Sequence, residues 1–169
     1  MKETKAIYGG TFDPPTYGHF WMIEQGAKLF DQLVVAVAVN PHKKCLFTPE
    51  ERVEMLQKGM VLPENVQVVT MNAGLLVSNA FALGANFILR GIRSTTDFVY
   101  EYGMRNVNRD INSSIETVFL TPPREIAEVS SSMVKELVRA DGGVKFILKY
   151  APTFVCSRLL QEVQNAKQK

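Results

Sequence analysis

The sequence lacks most of the residues that build disulfide, metal and membrane proteins. Its 169 residues include only two cysteines and two histidines. Cys45 and Cys156 lie far apart in the sequence and form no C-x-x-C pair, so neither a disulfide nor a zinc site is expected. Two histidines are also too few for a histidine metal cluster. The longest unbroken apolar run, Leu33 to Val39, is far shorter than the roughly 20 residues that cross a bilayer, which argues against a membrane protein.

The chain also carries little net charge. Its 19 basic and 17 acidic residues leave a formal charge of +2, and no basic block is longer than Lys43-Lys44. This balance gives no support for a nucleic-acid or membrane partner. Residues 1–5 show no apolar signal segment, so a cytoplasmic location is the expectation. With 46% hydrophobic and 21% charged residues, and with no repeat or linker, residues 1–169 are predicted to form a single domain.

Short apolar runs alternate with amphipathic segments along most of the chain. Thr48, Pro49 and Glu51 indicate a helix start, as N-cap, first helical residue and capping-box acceptor. Strands are predicted at residues 6–8, 32–39, 66–69, 86–89 and 116–120. Helices are predicted at residues 20–30, 49–58, 75–83, 97–110, 145–150 and 153–165. A further helix is predicted to begin at residues 130–132 and to end before Gly142-Gly143. This alternation predicts an α/β fold, with a doubly wound, parallel, five-stranded Rossmann-like sheet that the C-terminal helices close.

One glycine-rich turn, residues 8–19, joins the first strand to the first helix. Gly9 and Gly10 remove Cβ atoms where a backbone would approach a ligand. His19 falls in the first helical turn, whose free N–H groups attract phosphate. A cap or a packed side chain is the alternative for such a residue, and neither G-x-G-x-x-G nor a P-loop is present. The pattern indicates a nucleotide-phosphate site.

Two further segments that suit phosphate follow strands or begin helices. Arg90 and Arg93 flank Gly91-Ile92 directly after the fourth strand, at the strand end where open α/β sheets bind ligands. Their guanidinium groups fit phosphate oxygens, although an ion pair with Asp97 or Glu101 would also explain them. Residues 130–132, three serines, begin a helix and are either a cap or a further phosphate contact.

Together these motifs resemble those of phosphopantetheine adenylyltransferases. Gly-Thr-Phe-Asp-Pro with Gly18-His19 is similar to the T/H-x-G-H signature of the nucleotidyltransferase superfamily. The resemblance extends through residues 43–52, 90–101 and 130–136. It implies adenylyl transfer from ATP to 4'-phosphopantetheine, giving dephospho-coenzyme A and pyrophosphate in coenzyme A biosynthesis. It also implies a homohexamer, with coenzyme A as a candidate feedback ligand.

The resemblance assigns roles to individual residues. Catalytic roles fall to His19, Lys43 and Arg93. Binding of the 4'-phosphopantetheine substrate falls to Thr11, Lys43, Leu76 and Arg90. ATP binding falls to Thr11, Phe12, His19, Gly91, Ile92, Arg93, Glu101, Ile126, Ala127, Glu128, Val129, Ser130, Ser131 and Ser132. Glu101 either receives a ribose hydroxyl or pairs with Arg105 at i+4. Mg²⁺ is expected to arrive with ATP, because no carboxylate cluster is positioned to hold it.

The chain departs from the family pattern in two places, and two rival functions remain. Residues 125–129 lack the usual aromatic-serine-phenylalanine character, and Glu128 adds negative charge near an expected nucleotide contact. Arg105 and Asn106 replace smaller or more apolar residues of the family's helix, which weakens the expectation of a hexamer.

One rival is a nicotinate mononucleotide adenylyltransferase, which has a very similar glycine-rich turn. The other is a non-catalytic nucleotide or coenzyme A sensor, because a fold does not fix an activity.

Overall fold

The computed structural model describes residues 3–39, 44–71, 73–140 and 143–167, and it contains the predicted parallel sheet. The strands are β1 (Lys5–Gly10), β2 (Gln32–Ala38), β3 (Val66–Met71), β4 (Phe87–Gly91) and β5 (Glu116–Leu120). All pair in parallel, in the order β3-β2-β1-β4-β5. The five-stranded α/β prediction is therefore confirmed.

Helices follow the strands as the sequence pattern indicates. They are α1 (Tyr17–Leu29), α2 (Pro49–Gly59), α3 (Leu76–Ala82), α4 (Thr95–Ile111), α5 (Arg124–Ala127), α6 (Ser131–Arg139), α7 (Val144–Ile147) and α8 (Thr153–Lys167). The capping box of α2 is present: Thr48 accepts from the Glu51 backbone N–H, and the Thr48 N–H donates to the Glu51 carboxylate. Only α5 was not predicted, because four residues are too few to show a helical period. No helix in the described ranges is both long and apolar enough to span a bilayer.

The strand order changes direction between β1 and β4, and the two strands separate there. β1 pairs with β2 along its whole length, from Lys5 opposite Gln32 to Gly10 opposite Val37. It pairs with β4 only at Ala6–Phe87 and Ile7–Ile88. Beyond these pairs the two strands are no longer joined, and we call this opening the seam. It lies at the carboxyl ends of the strands, where open α/β sheets bind ligands.

Alternate residues of the central strands bury their side chains on opposite faces of the sheet. Leu33, Val35 and Val37 pack with α1 and α2 on one face, whereas Val34 and Ala36 pack with α3 on the other. This double burial explains the continuous apolar run of β2.

The C-terminal helices form a separate apolar cluster with α2 and α6. Val155, Cys156 and Leu159 of α8 are buried against residues such as Met55 and Val134. The C-terminal segment therefore packs on helices, and not on the sheet as the sequence suggested, because α2 and α6 already offer it an apolar groove.

Candidate active site

A cavity of about 330 Å³ lies at the seam. The glycine-rich turn, the end of β4 and the region around α5 supply its walls. Its lining residues are Tyr8, Gly9, Gly10, Thr11, Thr16, Gly18, His19, Met22, Arg90, Gly91, Arg93, Asp97, Glu101, Pro122, Ile126 and Val129. Two segments that the sequence indicated for phosphate, the glycine-rich turn and the end of β4, therefore meet here with Ile126 and Val129, which the resemblance assigned to ATP.

The glycine-rich turn is folded around Phe12. Phe12 has φ 50°, an unusual backbone conformation for a residue with a side chain, and its buried ring stacks edge-on against Tyr8 and His19 at centroid distances of 5.4 and 5.1 Å. A Cβ on Gly10 would lie 2.9 Å from this ring, and a Cβ on Gly9 would lie 2.6 Å from Leu76. The glycines therefore make room for Phe12 and Leu76. Both glycines also line the cavity, so a close approach of a ligand to this backbone stays a prediction. Phe12 supports the turn from inside and does not line the cavity.

Asp13 connects the turn to two distant segments. Its carboxylate is 1% exposed and accepts hydrogen bonds from the backbone N–H groups of Leu46 and Phe47, each at 3.0 Å. Lys135 of α6 donates to it at 2.7 Å. Burial alone would raise the pKa of Asp13, but the hydrogen bonds from Lys135, Leu46 and Phe47 outweigh it, so the pKa lies below its ordinary value. Asp13 thus stays charged and holds three segments together.

Arg52 of α2 holds the same region in place through hydrogen bonds to backbone oxygens. The side chain is 2% exposed, and its Nη1 donates to the backbone oxygens of Thr11 at 2.6 Å and Ala38 at 3.0 Å. Its Nε donates to the oxygens of Phe47 and Thr48. No carboxylate pairs with Arg52 within the described part of the chain. The residue therefore positions Thr11 and adds a buried positive charge close to the cavity.

His19 occupies the first turn of α1, as predicted, with a defined tautomer. The Thr16 backbone N–H donates to His19 Nδ1 at 2.9 Å, so Nδ1 is an acceptor and the ring proton lies on Nε2. Burial by the surrounding protein, assisted by the charge of Arg93, lowers the pKa of His19 to about 4. The ring is therefore neutral at neutral pH and offers one N–H donor at the cavity.

Arg90 and Glu101 form a two-point ion pair across the seam. Arg90 Nε lies 2.8 Å from Glu101 Oε2, Arg90 Nη2 donates to Oε1, and Arg90 Nη1 donates to the Gly9 carbonyl at 2.9 Å. Burial would lower the pKa of Arg90, but the hydrogen bond and charge of Glu101 raise it instead. Glu101 therefore forms one of the ion pairs that the sequence left open, with Arg90, and does not pair with Arg105, which lies 3.8 Å from Glu116.

Arg93 stands at the cavity with a looser partner. Its Nε lies 3.0 Å from Asp97, the ion pair that the sequence left open, and nearly half of its side chain is exposed. Such a pair is weak, so the guanidinium remains available to an anion. Arg90, Arg93, Asp97 and Glu101 line the cavity with two charges of each sign, which cancel.

Other residues expected to bind ATP are divided between the cavity and its surroundings. Gly91, Ile126 and Val129 line it, whereas Ile92 is buried at a neighbouring pocket. Ala127, Glu128 and the serines do not line it. Glu128 is exposed on a neighbouring surface, Ser130 caps α6 by accepting from Met133 N–H, and Ser131 donates to the Pro14 carbonyl at 2.8 Å. The charge of Glu128 therefore lies outside the cavity.

The residues expected to bind the second substrate are divided: Thr11 lines the cavity at the seam, whereas Leu76 does not. Leu76 lines an adjacent cavity of about 140 Å³, together with Tyr100, Met104 and both members of the Arg90–Glu101 pair. Arg90 therefore stands between the two cavities. Lys43, the other expected phosphate ligand, lies outside the described residues.

Several residues of the site were missed by sequence reasoning. Tyr8, Met22 and Pro122 line the cavity, and Asp13 and Arg52 hold its walls. Burial raises the pKa of Tyr8, although Arg90 and Arg93 oppose this, so its hydroxyl stays protonated. A carboxylate inside a glycine- and proline-rich turn was the one signal that could have identified Asp13.

Comparison with known proteins matches the chain to one enzyme family. Residues 7–137 match the profile of the cytidylyltransferase-like family. The phosphopantetheine adenylyltransferase of Neisseria meningitidis serogroup C is 47% identical over 161 residues, covering 95% of each chain. That of Chromobacterium violaceum is 46% identical over 156 residues, covering 92% of this chain and 95% of the relative.

A solved structure shares the fold at much lower sequence identity. It is Plasmodium falciparum nicotinic acid mononucleotide adenylyltransferase complexed with NaAD, with a TM-score of 0.71 and 13% identity, covering 95% of this chain and 96% of the other. At that identity the likeness shows the nucleotidyltransferase fold alone.

Proposed function

The chain belongs to the phosphopantetheine adenylyltransferase family, and from this premise we propose how its cavity transfers an adenylyl group from ATP to 4'-phosphopantetheine. A phosphate oxygen of 4'-phosphopantetheine attacks the α-phosphorus of ATP, the bond to the β-phosphate oxygen breaks, and pyrophosphate leaves. The nucleophile is already an anion, so no general base and no covalent enzyme intermediate are required. The products are dephospho-coenzyme A and pyrophosphate.

One observation carries the assignment of the reacting centre. A neutral His19 with its proton on Nε2, Thr11 and Arg93 all line the cavity at the seam. We propose that His19 Nε2–H and Arg93 stabilise the charge that develops on the triphosphate, since fixed donors in a partly dry site stabilise such charge strongly. Thr11 contacts the phosphates, and its position depends on the hydrogen bond from Arg52 to its carbonyl oxygen. Gly91, Ile126 and Val129 receive the rest of ATP.

The second substrate is proposed to bind from the Leu76 side of the seam. Its phosphate reaches Arg90, and its pantetheine arm passes along the adjacent cavity that Leu76 lines. Lys43 is proposed to supply a further positive charge to the same phosphate. This arrangement brings the acceptor phosphate to the edge of the ATP cavity, as an in-line attack requires.

Mg²⁺ is proposed to enter as part of the nucleotide substrate. The lining charges cancel in the described part of the site, so the triphosphate needs cations from elsewhere. Asp97 and Glu101, the carboxylates of the described lining, are both bound to arginines. The described residues contain no group of three or more potential metal ligands. The ATP phosphates themselves are therefore the expected ligands of the metal.

Three finer assignments follow from family membership. A homohexamer is proposed, and the exposed apolar side chains of α4, among them Val99, Tyr102 and Ile111, are consistent with burial between subunits. Light scattering after gel filtration tests this assembly. Coenzyme A is proposed as a feedback ligand, and competition with 4'-phosphopantetheine in a binding assay tests it. A cytoplasmic location is proposed and is tested by cell fractionation.

The reaction is tested by pyrophosphate release from Mg-ATP with two acceptors in parallel. We expect release with 4'-phosphopantetheine and none with nicotinate mononucleotide. Release only with nicotinate mononucleotide would reassign the acceptor. ATP binding without release in either assay would instead support the sensor function.

A further inference from the structure

The Arg90–Glu101 pair uses most of the hydrogen-bonding capacity of the arginine. A guanidinium has five N–H donors. Two of them bind Glu101 and one binds the Gly9 carbonyl, which is left outside the ladder where β1 and β4 separate. Two N–H groups therefore remain for a ligand, one on each Nη atom. Three hydrogen bonds therefore fix the plane of the guanidinium before any ligand binds.

Glu101 in turn makes its ionic contacts with Arg90. Both carboxylate oxygens accept from the guanidinium, and the residue is only 8% exposed. Each carboxylate oxygen keeps a second lone pair, so a ribose hydroxyl could add a neutral hydrogen bond, which is weaker than the charge-assisted contact with Arg90. The strongest contacts of the carboxylate are therefore those that it makes with Arg90.

The location of the pair indicates what it serves. Arg90 and Glu101 line both the cavity at the seam and the adjacent cavity that contains Leu76. Arg90 lies at the end of β4, and Glu101 lies in the second turn of α4. The pair thus connects the strand end to the helix beside the path of the second substrate. A small rotation of the guanidinium would displace a bound phosphate from the line of attack.

We propose that Glu101 is a positioning residue for the acceptor substrate: it orients Arg90 so that the two remaining N–H groups bind the phosphate of 4'-phosphopantetheine. This inference rests on the proposed function. It gives Glu101 a role in the acceptor site beside the nucleotide contact that the resemblance implies.

The test compares the KM values of the two substrates in Glu101 variants. Glu101→Ala should raise the KM for 4'-phosphopantetheine by about 10- to 100-fold, on the scale of a misplaced binding group, and should raise the KM for ATP by a smaller factor. Glu101→Gln keeps one acceptor oxygen for Arg90 and should restore part of the loss. Glu54→Gln is the control, because Glu54 forms an exposed pair with Lys58 on α2. Its kinetics should equal those of the wild type.

A double-mutant cycle distinguishes positioning from a general structural role. If Glu101 acts through Arg90, adding Glu101→Ala to Arg90→Ala should produce little further increase in the KM for 4'-phosphopantetheine. Calorimetric titration of each variant with each substrate gives the same comparison without turnover, and urea denaturation checks that each variant is folded.

Two results would overturn the inference. One is a rise in the KM or Kd for ATP with no change for 4'-phosphopantetheine. The other is an equal effect of Glu101→Ala with and without Arg90. A wild-type protein that neither binds nor consumes 4'-phosphopantetheine would refute the proposed function itself, and with it the phosphate assigned to Arg90.

Discussion

Replacing Asp13 with alanine should destabilise the protein more than any typical surface substitution. The change removes a carboxylate that is 1% exposed and that joins the glycine-rich turn, the segment before α2, and helix α6. Two backbone N–H groups, those of Leu46 and Phe47, lose their acceptor. Lys135, whose side chain is 18% exposed, loses its counter-ion but can reach solvent.

The magnitude follows from these losses. Breaking a buried ion pair by removing one partner costs about 3–5 kcal/mol. Most of the cost at Asp13 comes from the two orphaned N–H groups, at roughly 1–3 kcal/mol each before water enters. For a chain of this size, about 2–4 °C are lost per kcal/mol, so a decrease in Tm of ~6–20 °C is expected.

The dependence on pH gives the same prediction a second readout. Because the folded-state pKa of Asp13 is lowered, its contribution is fully present above the unfolded value of 3.8 and is lost as the pH falls through the folded pKa. The stability difference between wild type and Asp13→Ala should therefore be constant near neutral pH and shrink in acid.

Urea denaturation of a mutant cycle is the assay. Asp13→Ala, Lys135→Met and the double variant are compared with wild type, with the m-value checked for constancy. We expect a coupling energy of ~1–3 kcal/mol. A loss below about 1 kcal/mol for Asp13→Ala, or strict additivity, would refute the reasoning that this pair holds the three segments together.

Two other predictions concern α1. His19→Ala should lower kcat by ~10²-fold, the scale of losing one oxyanion donor. The neutral ring is the proposed active form and its pKa is about 4, so wild-type kcat should show no His19-dependent loss until the pH falls well below about 6. Steady-state pH profiles check this, and a protonation step near neutral pH that disappears in the variant would contradict it. Gly26→Ala should destabilise by about 1–3 kcal/mol although alanine favours helices, because its Cβ would lie 2.7 Å from Leu89 and 3.0 Å from Leu33. A rise in the denaturation midpoint would show that these leucines can move aside.

The fold and part of the site could be predicted because their signals are local. The run from Leu33 to Val39 indicated a buried strand, and the position of His19 after a glycine-rich turn indicated a phosphate site. Each of these patterns lies within one element and its neighbours. Periodicity and capping chemistry are therefore enough to find them.

The remaining features depend on contacts between distant parts of the sequence. Lys135 lies 122 residues from Asp13, and Arg52 lies 41 residues from Thr11. The sequence left Glu101 open between Arg105, at helical spacing, and the arginines that follow β4, and the contact across the seam shows that its partner is Arg90. The three serines were indistinguishable in the sequence, but one caps a helix and another binds the Pro14 carbonyl.

The seam also allows the residues around it to change during evolution while the sheet stays the same. β1 and β4 share only two paired positions, so the sheet keeps its hydrogen bonds when the segments above the opening change. The backbone oxygen of Gly9 is satisfied by a side chain and not by a strand, so a different cation there would preserve the scaffold. Residues around the seam can therefore be exchanged during evolution without disrupting the sheet, so that substrate specificity can change while the fold is kept.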